Sequence, residues 1–412
     1  MHRVRFFINR IRERLWVKPL LMSLLSVAVV FLAKLADDVV RADFLPELSA
    51  DSVESLLSVM ASSMLVIATL AVTSMVSAFA SATNTATPRS FRLIVADDVT
   101  QNALSTFIGA FIYSIVALTA AKNDFFETRG LFALFILTVT VFAIVVLTFV
   151  RWVDRIARLG RVGTTIETVE RAAARTLCRC RDMPKIRLSG VERLRTEGQP
   201  LVAEAVGYVQ HIDVVALQTC AEIGAGYVLV AALPGTFVMP GDVLAYVSRG
   251  GDIDDTHVTA AFTVGGERRF DDDPRFGLVV LSEIASRAMS PAINDPGTGI
   301  DIIGRMVRLL VQWSQPSQAT EAAAIPDRVM VPAIRAWDLF EDAFGVIARD
   351  GASLVEVGLQ LQKALVFLAK SGNPDIREAA LYQQQLALKR AEQALDMAED
   401  IERIRAMAGG VV

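Results

Sequence analysis

Cysteine and histidine are scarce, at three residues each in a chain of 412. Cys178, Cys180 and Cys220 are too few for a disulfide framework, and the Cys178/Cys180 pair has no nearby histidine to complete a zinc site. His2, His211 and His257 are scattered. The G-x-S-x-G, H-E-x-x-H and G-x-x-x-x-G-K sequences that mark hydrolases, zinc proteases and phosphate-binding loops do not occur. His211 beside Asp213 resembles a catalytic pair, but two residues apart at a strand-to-helix junction is equally a surface turn. The expectation is a protein that is not an enzyme and has neither cofactor nor metal. Charge of one sign is lacking too: Lys and Arg number 41, Asp and Glu 45, and the net charge of −4 does not favour nucleic acid.

Apolar sequence, by contrast, is abundant, at 53% hydrophobic residues. Four runs account for the excess, near residues 16–36, 56–82, 103–121 and 131–150, each close to the roughly 20 residues needed to span hydrocarbon. No Asp or Glu interrupts them. A proton relay of intramembrane carboxylates is thereby disfavoured. The first run is longer than a signal-peptide core and ends without a clear small-residue cleavage pattern, which favours a signal anchor.

Basic residues set the expected orientation. Arg3, Arg5, Arg10, Arg12, Arg14 and Lys18 precede the first run, Arg89 and Arg92 separate the second from the third, and Arg151, Arg155, Arg158 and Arg161 follow the fourth. The positive-inside tendency places all three groups, and both termini, in the cytoplasm. The loop after the first run is acidic, with Asp37, Asp38, Asp43, Glu47, Asp51 and Glu54, as expected outside.

From Ser55 to Asn84, across the second run and its edges, a hydroxyl or amide recurs: Ser55, Ser58, Ser62, Thr69, Thr73, Ser77 and Asn84. At about 100° per residue they fall on one helical stripe about 100° wide. Lipid tails cannot satisfy hydroxyls, so the stripe is expected to face a bundle interior or a pore. Two readings stay open. Ser58/Ser62, Thr69/Thr73 and Thr73/Ser77 are small-xxx-small pairs suited to tight helix packing. Alternatively, symmetry-related copies of the helix surround a water-filled path. Four spans without an inverted repeat suit few transporters, so a pore at a homo-oligomer axis is the more economical transport model. Arg89 and Arg92, just past Pro88, either contact lipid headgroups or ring the pore mouth.

Beyond Arg151 the charge density rises. Residues 151–181 read as one helix leading out of the membrane, with Ile156, Leu159, Val162, Ile166 and Val169 at helical spacing. Short β-rich runs follow between Leu201 and Val264, reversed by Pro234-Gly235 and Pro240-Gly241 and interrupted by a helix over 213–223. Later segments are helical: one from Phe276, one through Gln312 capped by Asp295 or Thr298, then 329–349, 354–370 and 375–407, the last capped by Asn373. Asn294, Asp295 and Thr298 are a candidate ligand-binding turn, although Asn-Asp-Pro is also ordinary capping chemistry. The clusters Asp252/Asp254/Asp255 and Asp271/Asp272/Asp273 read as solvated loops, lacking the ligand spacing of an EF-hand.

Ser62-Ser63-Met64, Thr87-Pro88-Arg89-Ser90-Phe91-Arg92, Gly207-Tyr208-Val209-Gln210-His211-Ile212-Asp213, the 234–241 segment Pro-Gly-Thr-Phe-Val-Met-Pro-Gly, and Ser290-Pro291-Ala292-Ile293-Asn294-Asp295-Pro296 occur in this order. Together they resemble a family of predicted bacterial membrane proteins, domain of unknown function 2254, from about Trp16 to about Leu395. The resemblance implies an integral membrane protein with a cytoplasmic extension and carries no activity. Where a Ser-Gln-Phe-Ser-Pro-Arg type of sequence is expected, this chain has Thr83-Asn84-Thr85-Ala86-Thr87-Pro88-Arg89. If that lead-in lines a path, selectivity differs here.

The sequence therefore predicts a membrane α-helical bundle of four transmembrane helices plus a cytoplasmic α+β region. Its parts are a membrane domain over 1–150, a connecting helix and linker over 151–199, a small β-rich domain over 200–270 and a helical domain over 271–412. The functional expectation is a homo-oligomeric channel in the bacterial inner membrane, in contact with the lipid bilayer and with an ion or small molecule. The rival is a membrane-anchored sensor or scaffold whose cytoplasmic domain binds a ligand or partner without transport.

Overall fold

A computed structural model describes residues 16–39, 49–85, 87–90, 93, 98–157, 161–182, 195–248, 253–316 and 327–409. The chain forms two compact units, Met1–Thr165 and Ile166–Val412.

Each apolar run of the first unit becomes a helix: α1 (Val17–Val39), α2 (Ala50–Thr85), α3 (Asp98–Lys122) and α4 (Thr128–Ile156), with a 3-10 turn at Pro88–Ser90. All four are long and apolar enough to cross a membrane. In hydrocarbon only a helix satisfies its own backbone within one segment, so an uninterrupted apolar run settles the element. The 36 residues of α2 make a rod of about 54 Å, well beyond the roughly 30 Å hydrocarbon layer. It extends the expected run at both ends, from Ala50 before Leu56 to Thr85 after Ala82.

Helix α3 is the hub of this unit. Ala103, Phe107 and Ala110 pack against Met64, Ala68 and Ala71 of α2 and against Val145 and Trp152 of α4. Farther along, Tyr113 and Ala117 meet Val30 of α1, Val53 and Leu57 of α2 and Leu134 of α4. A Cβ at Gly109 would approach the Cβ of Met22 to 3.2 Å, so α1 crosses closely there. The buried Tyr113 hydroxyl and Thr138 Oγ1 share a 2.8 Å hydrogen bond between α3 and α4, a polar tie in an otherwise apolar interface.

The single helix expected over 151–181 is two. Helix α4 ends at Ile156, and α5 (Val162–Asp182) begins afresh. Gly160 and Gly163 bracket the restart, and glycine costs a helix interior about 1 kcal/mol relative to alanine.

In the second unit, strands β1 (Gln199–Val202), β2 (Gly207–Ile212), β3 (Val228–Val230), β4 (Phe237–Val238), β5 (Val243–Val247) and β6 (Phe262–Gly265) alternate with α6 (Val214–Ile223) and α7 (Asp255–Ala260). With a seventh strand, β7 (Val329–Met330), they build two sheets, ordered β1-β5-β3-β7 and β4-β2-β6. Gly235 and Gly241 have positive φ, as the Pro-Gly reversals require. Asp213 caps α6 by accepting from Ala216 N at 3.0 Å.

Strand β7 (Val329–Met330) corrects the helix expected to start at Val329. It pairs in parallel with β3, so the four-stranded sheet draws on sequence far beyond residue 270. Pro332 biases Val331 toward extended backbone, which disfavours a helix running from Val329 through Val331. Helices α8 (Phe276–Ala288) and α9 (Pro296–Ser314) follow the small sheets in sequence, and β7 leads into α10 (Ala336–Phe340), a π-helical turn (Glu341–Gly345) and α11 (Val346–Asp350). Then come α12 (Val355–Ala369), α13 (Pro374–Ala394) and α14 (Ala398–Ala408). Asn373 caps α13 through Asp375 N. The helix expected over 375–407 breaks at Leu395–Met397, letting Ile404 turn in: a Cβ at Gly358 would sit 2.8 Å from its Cδ1.

Candidate functional site

Helix α2 has two opposed faces. Val53, Leu57, Met60, Ala61, Met64, Ala68, Ala71 and Met75 are buried, whereas Ser55, Ser58, Ser62, Thr69, Thr73 and Ser77 are all exposed. At about 100° per residue the two sets centre roughly 180° apart. The interior of this chain's own bundle, one expected destination for the stripe, therefore does not receive it. Met and Ala side chains make the α2–α3 contact instead, and the small-xxx-small pairs remain uncovered within one chain. The Asn84 side chain lies outside the described residues.

Three of the stripe's hydroxyls, those of Ser62, Thr69 and Thr73, bond locally. Ser62 Oγ donates to Ser58 O at 3.0 Å, Thr69 Oγ1 to Leu65 O at 2.8 Å, and Thr73 Oγ1 to Thr69 O at 3.0 Å. Such back-bonding leaves oxygen lone pairs available while meeting the donor's need. Val59, Leu65, Val66, Leu70 and Val76 flank them on the same exposed side. The outward face is thus a hydroxyl line set in apolar surface.

Past α2, Ser90 Oγ donates to Thr87 O at 2.7 Å, and both side chains are buried. The Thr87-Pro88-Arg89-Ser90 segment folds into a compact turn that presents Arg89 outward. Arg92 lies outside the described residues.

Asn294, Asp295 and Thr298 do come together. Asn294 takes φ +52°, and Asp295 accepts from Thr298 N at 3.1 Å and from Thr298 Oγ1 at 2.6 Å. Thr298 holds the Asp295 carboxyl below the usual carboxylate range. The carboxylate caps α9 and so is occupied by the turn itself.

The reading of Asp271/Asp272/Asp273 as a solvated loop is corrected. Asp273 is 2% exposed. It forms a paired contact with Arg268, at 2.7 Å from Nε and 3.0 Å from the terminal nitrogen, and accepts from Arg275 N and Phe276 N to cap α8. Arg268 also lies over the Phe276 ring, 5.2 Å from its centroid. Asp272 accepts from Arg179 at 2.9 Å and meets His211 Nδ1 at 2.6 Å. The histidine's carboxylate partner is therefore Asp272 and not Asp213, whose side chain caps α6. Hydrogen bonding to Asp272 raises the His211 pKa above its ordinary value against the opposing effect of burial. Burial opposes ionisation of Asp272, but His211 and Arg179 outweigh it and hold that carboxyl low. Beside them burial pushes the Cys180 thiol up to about 11, which keeps it protonated and unreactive at neutral pH.

A second charge group lies close by. Arg275 bonds Asp342 of the π-helical turn through Nε at 2.5 Å and a terminal nitrogen at 3.1 Å. Glu170 of α5 pairs with Arg305 and Arg308 of α9. Sequence reasoning missed these partners; for the Arg268–Asp273 pair, a basic pair followed by three aspartates across Phe270 was a visible signal. Among the described residues no group of His, Cys, Asp and Glu is arranged to hold a metal ion.

Comparison with known proteins gives a family and no activity. A model described as predicted membrane protein, DUF2254, matches residues 12–366. Uncharacterized proteins of Mycobacterium bovis and Mycobacterium tuberculosis are each 30% identical to this chain over 137 residues, covering 32% of this chain and 25% of the relative. The matched region is thus about a quarter of the length of these curated relatives. No solved structure matches. The four apolar helices and a family match over most of the length agree: this chain belongs to the DUF2254 family of predicted membrane proteins.

Proposed function

We propose that the protein is a homo-oligomeric channel of the bacterial inner membrane, in which copies of α2 surround a hydroxyl-lined path. The observation that carries this reading is the opposition of the two α2 faces. A chain that packs α2 through Met and Ala and turns Ser58, Ser62, Thr69 and Thr73 outward has prepared that face for something outside itself. Hydroxyl oxygens replace part of an ion's or solute's hydration shell without fixed charge. Arg89 stands at the cytoplasmic mouth or against lipid headgroups, both termini are cytoplasmic, and the second unit assembles or gates the path in the cytoplasm.

Flux through proteoliposomes containing purified oligomer tests this. Ion or small-solute flux that falls on replacing Thr69 and Thr73 with leucine supports it. Absence of flux under any imposed gradient or voltage sinks it.

One observation favours a second reading, that of a membrane-anchored sensor or scaffold. Back-bonded hydroxyls flanked by Val59, Leu65 and Val66 are tolerable against lipid or a tight helix seam. In that case the spans only anchor, and the second unit binds a ligand or partner.

A further inference from the structure

Strand β2, the 270–273 segment and helix α5 are joined by short polar contacts. On the α5 side, Thr176 Oγ1 donates to Phe270 O at 2.7 Å, and Arg179 donates to Asp271 O at 2.8 Å and to Asp272 Oδ1 at 2.9 Å. On the β2 side, His211 Nδ1 meets Asp272 Oδ2 at 2.6 Å and Gln210 Nε2 donates to Glu267 O at 2.7 Å. Asp272 uses one oxygen for each side.

We propose that His211, Asp272 and Arg179 form a pH-responsive latch: protonated His211 holds the 270–273 segment to β2 while Arg179 holds it to α5, and loss of the histidine proton loosens the β2 side. The charged groups that face His211 come from three directions. Asp271 and Asp272 lie on the segment, Asp213 stands at the cap of α6, and Arg179 reaches from α5. The neighbouring strands add no charge, since β6 sets Thr263 opposite His211 and β4 pairs with β2 through Phe237 and Val238. Three carboxylates against one guanidinium favour the imidazolium. A neutral imidazole keeps a hydrogen bond to Asp272 but loses the charge that makes it strong.

The alternative fate of this node is permanence. Asp273, next in sequence, is buried and paired with Arg268. The His211 side chain is 19% exposed and that of Asp272 25%, although the ring's Nε2 is itself buried, while Asp273 keeps the segment anchored. The device is local and independent of whether α2 lines a path.

Amide hydrogen exchange of the full chain in detergent, corrected for intrinsic rates, tests the latch at about pH 6 and about pH 8.5. Protection of the 270–273 segment is expected to fall about threefold or more at the higher pH in the wild type. In His211→Gln, which keeps a neutral hydrogen bond and cannot titrate, protection should be the same at both. Equal protection in the wild type, or an undiminished pH response in His211→Gln, overturns the proposal. Should that variant fail to fold, nuclear magnetic resonance titration of the wild-type His211 ring decides: a midpoint above the ordinary histidine value of about 6.5 supports the latch, and one at or below it removes it.

Discussion

Gly235 and Asp273 lie in contact: a Cβ built at Gly235 would fall 2.3 Å from Asp273 Oδ2. The glycine also holds φ +94°, a conformation that side-chain-bearing residues avoid. Gly235→Ala therefore meets a steric and a conformational penalty together. We expect a loss of about 2 kcal/mol in unfolding free energy. Denaturant melts of the full chain in detergent measure it, with Gly241→Ala as the comparison. Gly241 has φ +98° but open space around its Cβ, so its loss should be smaller.

Asp273 combines two duties that conservative replacement separates. Asparagine retains an oxygen to cap α8 but has no charge for Arg268, whereas alanine has neither. Leaving a mostly buried guanidinium unpaired is costly, so Asp273→Asn should destabilise by about 2 kcal/mol and Asp273→Ala by about 3 kcal/mol or more. Equal melts for the two variants would show that the capping oxygen contributes nothing beyond the ion pair.

This node shows where sequence reasoning reaches and where it stops. The spans were legible because lipid imposes a long apolar run, and the β-reversals because Pro-Gly pairs carry their own backbone geometry. Asp295 and Asn373 were legible as caps, since a short polar side chain before a helical run has few other uses. Asp273 was not, because a run of three aspartates is normally solvated and only the fold brings Arg268 and Gly235 around it. Strand β7 was hidden for a similar reason: two residues acquire strand character only from a partner, here β3, distant in sequence. For α2, periodicity grouped the hydroxyls on one stripe but is silent on which side of the helix the neighbours occupy. That side was decided by α3, whose Ala103, Phe107 and Ala110 accept the Met and Ala face.

The latch groups give stability a defined pH window. The folded-state pKa of His211 is raised, so its contribution is complete below the unfolded value of about 6.5 and disappears as pH climbs through the folded value. That of Asp272 is lowered, so its contribution is present above the unfolded value of about 3.9 and is lost as pH falls through the folded one. Thermal melts of the full chain should therefore show the node at full strength between those unfolded values. In His211→Gln the alkaline decline assigned to this node should vanish. An identical alkaline limb in wild type and variant would assign it to other groups.

The direction of the α2 stripe yields the sharpest test of what surrounds it. Single cysteines at Ser62, Thr69 and Thr73, in a background with Cys178, Cys180 and Cys220 replaced, probe the outward face. Cysteines at Ala61 and Ala68 probe the face packed on α3, where exposure is 7% and 9%. A membrane-impermeant charged thiol reagent reacts with thiolate, which forms only where water reaches the sulfur. In a water-filled path the three outward positions should react at least about tenfold faster than Ala61→Cys and Ala68→Cys, with protection by a permeant that occupies the path. Against lipid or in a dry helix seam they should be as unreactive as the buried pair. Oxidation distinguishes those two cases: a seam between copies of α2 brings like positions close enough for a disulfide, which requires Cα atoms within about 7 Å, and lipid keeps them apart. Slow thiol reaction at all three positions would leave α2 as an anchor and direct the search for function to the second unit.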